Sequence, residues 1–340
     1  MFAREVKENA DMLAALENAI LFNVDCEKGE GIEIAKKYEI RGYPTFIALN
    51  GKGEVTDSWI GYEGAEKWSA SVVAAKADRR TIVEKREAFK TEPTLALALA
   101  LASDAATGSE YKAAVVYYGQ ALEMDPANAG EYRNQILMSM IYGIEDGSFT
   151  MDDVIAKAEP VMASPETPVA DKLELALMLK YFAGKTGDLD QAVPFIAAAW
   201  DASEGSTDEE VLKYRDYLEV SHALLVEKDS AKAFDLYKDK MPEGWQESPE
   251  QLNRIAWWCF ENNINLEEAQ GYAATGIELA EVPEEKANLL DTAAEICNAL
   301  GNCDEALAKI RRAVELEPDN EHFQEQLVRF EKAVEEKKKG

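Results

Sequence analysis

The chain is 340 residues long, 47% hydrophobic and 30% charged, the composition of a globular chain rather than a disordered one, with length for two or three domains. Its 36 Lys and Arg stand against 65 Asp and Glu, for a formal net charge of −29, and the excess lies almost wholly beyond residue 90, where 22 basic residues face 49 acidic ones. Such a surface repels phosphate backbones and disfavours nucleic-acid binding, which draws on basic contacts.

Residues 3–16 predict a helix, with Val6, Ala10, Leu13 and Ala14 spaced for one face. Acids and amides occupy this N-terminus where a signal peptide has a basic start and an apolar stretch, so the sequence as written predicts a cytoplasmic chain. Residues 19–24 (AILFNV) predict a strand. Beyond the glycines at 29 and 31, Ile32, Ala35 and Tyr38 mark a short helix that ends before Arg41. Residues 44–49 (PTFIAL) and 55–60 predict two strands joined as a hairpin by the NGKG turn at 50–53, and residues 63–77 close the unit as a helix. The predicted order is αβαββα.

That order, and the run Ala35-Lys36-Lys37-Tyr38-Glu39-Ile40-Arg41-Gly42-Tyr43-Pro44-Thr45-Phe46 within it, resembles the thioredoxin superfamily. The resemblance covers about 60 residues and includes the Asn23-Val24-Asp25 strand end and Gly61-Tyr62. It implies a cis bond between Tyr43 and Pro44, and a turn at Tyr43, Pro44 and Thr45 whose backbone pairs with an extended substrate segment. It also implies a Cys-x-x-Cys at the start of the helix that here begins at Met1. No such pair is in the sequence, and disulfide transfer needs both an attacking and a resolving thiol. The resemblance therefore predicts in-frame sequence ahead of Met1 that carries the pair and a central strand, and a signal peptide there would make the protein periplasmic or secreted. Cys26 is a weak catalytic candidate, because its neighbours Asp25 and Glu27 disfavour a thiolate there. With Cys259, Cys297 and Cys303 it forms no CxxC, and the histidines His222 and His322 complete no zinc set, so neither a metal nor a cofactor is expected. Two histidines in helical contexts and the lack of a Gly-rich phosphate loop also argue against a hydrolase.

Residues 78–93 read as a charged connector helix that ends at or before Pro93. The longest apolar run, residues 94–102, is too short to span a bilayer, which takes roughly 17 to 25 residues. From here a small residue recurs in the second helix of each predicted hairpin, at Ala114, Val154, Ala192, Ala233, Ala269 and Ala306, so about six hairpins are expected. Residues 95–128 carry Ala102, Gly108, Tyr111, Ala114, Tyr118, Ala121 and Pro126 at offsets that resemble the tetratricopeptide (TPR) repeat. Residues 287–320 match as well, with Ala294, Gly301, Cys303, Ala306, Ile310, Ala313 and Pro318, while the middle copies are degenerate. Cys259, Cys297 and Cys303 read as buried packing residues.

The expected fold is thus an incomplete thioredoxin-like αβαββα unit (1–77), a helical connector (78–93), an all-helical TPR-like solenoid (94–334) and a charged tail (335–340). The TPR resemblance implies a concave face built from first helices and open to an extended peptide. The repeat register places Tyr181, Arg215, His222, Arg254, Trp258, Asn262, Asn288, Asp291 and Asn298 there. The expected function is a protein-interaction module whose partners are other proteins or extended peptides, with no membrane span. The alternative is a thiol-disulfide oxidoreductase whose CxxC-bearing N-terminus lies outside this sequence.

Overall fold

The computed structural model describes residues 2–337, apart from the side chains of Ala3 and Glu336. They fall into two compact units, one ending at Leu218 and the other beginning at Glu219.

The first unit opens with α1 (Phe2–Glu8) and α2 (Ala10–Ala15), not the single helix expected over 3–16. Asn9 divides them: its Oδ1 accepts from the N–H groups of Asp11 and Met12 at 3.0 and 3.1 Å and caps a new helix. Residues 19–24 form no strand, which corrects the expectation for AILFNV. Its apolar side chains point to solvent, with Ile20 95% and Phe22 77% exposed. A strand exists only by pairing, and no neighbouring strand lies beside this segment among the described residues. The helix α3 (Glu30–Lys37) then leads to β1 (Thr45–Leu49) and β2 (Val55–Ile60), an antiparallel hairpin in which Phe46 opposes Trp59 and Ala48 opposes Asp57. The Tyr43–Pro44 bond is cis. With α4 (Ala65–Ala77), the order is αααββα around a small aromatic core of Phe2, Phe46, Trp59, Tyr62 and Trp68 beside buried Val6, Met12 and Val72.

The expected charged connector is α5 (Ile82–Thr91), begun by a capping box in which Thr81 and Glu84 satisfy each other's backbone N–H groups. It is no solvated spacer, for Ile82, Lys85 and Phe89 are all buried. Helical hairpins follow: α6 (Leu95–Thr107) with α7 (Tyr111–Met124), α8 (Ala129–Tyr142) with α9 (Met151–Ala163), and α10 (Val169–Thr186) with α11 (Val193–Ala202), the last entered through a 3-10 turn at Leu189–Ala192. The boundary between units falls within α12 (Glu209–Ser221).

In the second unit a π-helical turn, His222–Val226, precedes α13 (Ser230–Asp239). The hairpins α14 (Pro249–Glu261) with α15 (Leu266–Leu279) and α16 (Pro283–Ala299) with α17 (Cys303–Leu316) come next, and α18 (Glu321–Lys337) covers the last with buried Phe323 and Phe330. Of the expected tail over 335–340, residues 335–337 end this helix, and 338–340 lie outside the described residues.

The helical hairpins pack closely. Ala114, Val154, Ala192, Ala233, Ala269 and Ala306 all have zero exposure, as small residues must where two helices approach closely and neighbouring hairpins share one core. Gly276 on α15 shows how tight that approach is: a Cβ there would sit 2.6 Å from Leu289 Cδ2 on α16.

Candidate functional site

In the second unit, Ser248 caps α14 by accepting from the Gln251 N–H, and Pro249 occupies its first turn, where the missing donor costs nothing. The helix α16 likewise starts at Pro283. Between these N-terminal turns lies a cleft of about 270 Å³, lined by Glu250 and Asn253 of α14, Val282 before α16, and Glu284, Glu285 and Asn288 of α16. Glu250 and Asn253 are three residues apart and Glu285 and Asn288 likewise, so each helix turns one face to the cleft. The Oδ1 of Asn253 is buried and accepts no hydrogen bond, an unmet acceptor in a pocket of otherwise acidic and amide character.

Among the expected groove residues, Asn288 lines this cleft. Arg254 is exposed, and its guanidinium meets the Met241 sulfur at 3.4 Å. Asn262 closes the end of α14, donating from Nδ2 to the Trp258 carbonyl at 2.7 Å. Asn298 is half-buried near the end of α16, and in the first unit Tyr181 is exposed with the Lys185 ammonium 4.7 Å from its ring centre.

Four expected groove residues are placed differently. Trp258 is half-buried, stacked on Tyr237 at 4.3 Å between ring centres and on Phe234 at 6.4 Å, as part of a hydrophobic core. His222 is buried within the π turn, with Nδ1 3.5 Å from a Glu227 carboxylate oxygen. Asp291 is buried beneath α18, where Oδ2 meets His322 Nε2 at 3.1 Å, and burial raises its carboxyl above the usual value against the pull of His322. Arg215 lies 3.7 Å over the Trp200 ring and donates to the Trp200 carbonyl at 2.7 Å, which commits it to joining α11 and α12. In α14 the difference is one of helix rotation, whereas α18 covers Asp291 and the π turn encloses His222. The expected pair Arg254 and Trp258 and the observed pair Glu250 and Asn253 differ by a turn of about 100° per residue, and a degenerate repeat does not fix that angle. A buried amide oxygen without a partner is a signal only coordinates can show.

In the N-terminal hairpin Tyr43 and Pro44 are exposed, while Thr45 is half-buried and its hydroxyl donates to the Gly42 carbonyl at 2.7 Å. The antiparallel register leaves the Thr45 and Ile47 backbone groups on the side of β1 away from β2, where no strand pairs with them among the described residues. Cys26 is half-exposed. Cys259 is fully buried, its thiol pushed up to about 12, and burial raises Cys297 as well. Cys303 is half-exposed, contrary to its expected burial. Among the described residues, no three His, Cys, Asp or Glu side chains gather as a metal site, and no helix is long and apolar enough to cross a membrane.

No family model matches the chain, and no curated protein matches it. Among solved structures it is similar to a chain of the APC/C hetero-tetramer Cut9-Hcn1, with a TM-score of 0.38 and 12% identity over 79% of this chain and 49% of that one. It is also similar to the P58(IPK) TPR domain, with a TM-score of 0.27 and 18% identity over 82% of this chain and 72% of that one. The chain thus spans about half the length of the first of these.

Proposed function

We propose that the chain is a protein-interaction module whose helical array binds an extended segment of a partner polypeptide in the cleft between α14 and α16. The observation that carries this reading is the pairing of Asn253 and Asn288, amides from successive first helices that line one cleft, with Asn253 Oδ1 left without a donor. An amide both donates and accepts, as a peptide backbone does, so two amides on neighbouring helices suit an extended chain laid across them. The test is selection of peptides from a random library on the purified chain, followed by affinity measurement against an Asn253→Ala/Asn288→Ala variant. Affinity should fall about tenfold or more if both amides engage the peptide. Selected peptides that bind the variant equally well would remove the cleft from consideration.

A second reading draws on the open edge of β1 and the solvent-facing apolar residues Ile20 and Phe22. It treats residues 1–77 as a thioredoxin-like unit whose sheet takes up a further apolar strand, with the turn at Tyr43, Pro44 and Thr45 beside a disulfide substrate. An unpaired edge is a template for such pairing. Redox turnover would further require two thiols in one site, and the four thiols of this chain form no Cys-x-x-Cys pair. Insulin reduction is the deciding assay: turnover that disappears in Cys26→Ser favours this reading, and none is expected from the chain as it stands.

A further inference from the structure

The first unit holds a second recess, of about 400 Å³, between the loop joining α8 to α9 and the loop joining α10 to α11. Its floor is apolar. Ile144, Phe149 and Met151 line it, and Phe149 is seated on Gly143, where even a methyl group would come within 2.7 Å of the ring. The Phe149 N–H donates to the Gly143 carbonyl at 3.0 Å, which fixes the ring's approach.

The other lining residues are polar. Asp152, in the first turn of α9, and Asp188, in the loop after α10, are exposed, line the recess, and have no ion-pair partner among the described residues. The Oε1 of Gln191 is buried and accepts no hydrogen bond. The two hydroxyls in the lining are already spent as donors, Thr150 to Asp153 Oδ2 at 2.7 Å and Thr186 to the Ala183 carbonyl at 3.1 Å. No Lys, Arg or His lines the recess. Beside an aromatic ring it therefore offers two anionic acceptors with no cation to answer them, and suits a ligand that is cationic and rich in donors.

We propose that this recess receives an arginine side chain of a partner polypeptide. A guanidinium is flat, carries five N–H donors in a fixed fork and stacks on an aromatic face, so one group serves two carboxylates and an amide oxygen while its methylene stem lies on Ile144 and Met151. An ammonium has three donors around a point charge and cannot lie flat on Phe149. The site is separate from the cleft between α14 and α16, and its residues play no part in the reading given for that cleft.

The probe is acetyl-Gly-Arg-Gly-amide, with versions in which citrulline or lysine replaces arginine. Citrulline keeps the shape and removes the charge. Binding is read from the Gln191 side-chain amide resonance of the full chain by NMR, so a diffuse attraction of peptide to the acidic surface does not count. The arginine peptide should shift that resonance, the citrulline peptide should not, and the lysine peptide should bind more weakly. The Asp152→Asn/Asp188→Asn variant should lose about tenfold or more in affinity, whereas Asp201→Asn, another exposed acid of the same unit, should leave it unchanged. An unmoved Gln191 resonance, equal binding of the citrulline or lysine peptide, or full affinity in the double variant would each overturn the proposal. Asn253→Ala/Asn288→Ala serves as the cross-check and should leave this site intact.

Discussion

Lys85 Nζ donates to Asp57 Oδ2 at 2.6 Å and to the Thr56 carbonyl at 2.9 Å, with its side chain only 1% exposed. A residue of the connecting helix is thus the buried counter-ion of the sheet. Around the pair, Ser58 Oγ donates to Asp104 Oδ1 and Ser103 Oγ to the Ser58 carbonyl, both at 2.8 Å, and Arg86 stands 3.6 Å from Asp104. The network joins β2 to α5 and α6, and so holds the hairpin to the start of the array.

Lys85→Met should therefore destabilise the first unit severely. Breaking a buried pair by removing one partner leaves an uncompensated charge and costs about 3–5 kcal/mol. The Lys85→Met/Asp57→Leu double variant should recover most of that loss, because two apolar groups replace both charges. Urea denaturation of the three proteins checks it, and equal losses in the single and double variants would count against the pairing.

Trp258→Ala should act on stability before binding. Its ring stacks on Tyr237 and Phe234 against the core of the second unit, and losing a packed aromatic costs about 3 kcal/mol. A fall in melting temperature should appear with no peptide present, whereas Asn288→Ala, at an exposed position, should leave the melt unchanged.

Gly276→Ala is a sharper test of helix approach. The added methyl would meet Leu289 Cδ2 at 2.6 Å, so the fully buried Leu289 side chain must shift within the core to admit it. Overpacking of this kind costs about 1–3 kcal/mol. Gly271→Ala, on the same helix with nothing within 4 Å, should instead be neutral or stabilising.

The pH dependence follows from two opposed sets of carboxylates. Burial is the first cause raising Asp57, Asp104 and Asp291. A raised carboxyl stabilises the fold fully below its unfolded value, and that contribution is lost as pH rises through the folded value. Hydrogen bonds lower Asp78, Asp125, Asp146 and Asp153, whose contribution is present above the ordinary value of 3.8 and lost as pH falls through the folded values. Comparing wild type with Asp291→Asn isolates one member of the first set. Relative to the variant, the wild type should gain stability as pH drops from neutral toward about 4, and a constant difference would refute the assignment.

The local signals in the N-terminal segment conflicted with one another only where pairing was at stake. AILFNV has the composition of a strand, yet β propensity measures fit to a pleated, half-buried surface, and among the described residues no strand pairs with it to supply one. The same holds for Lys85: a charged helix reads as solvated, and only Asp57, 28 positions earlier, makes its burial tolerable. In the candidate cleft, Asn288 was legible from the repeat register, while Asn253 was not, since it precedes Arg254 by one residue and a rotation of about 100° decides which of them faces the cleft.

What the sequence determined by itself was the spacing of the helical hairpins, because small residues, five Ala and Val154, recur where helices approach closely and are buried there. What the tertiary structure alone decided was which strands find partners, which charges are buried and which face of each helix is open. Those outcomes depend on groups brought together from distant parts of the chain, and their free energies exist only after that contact is made.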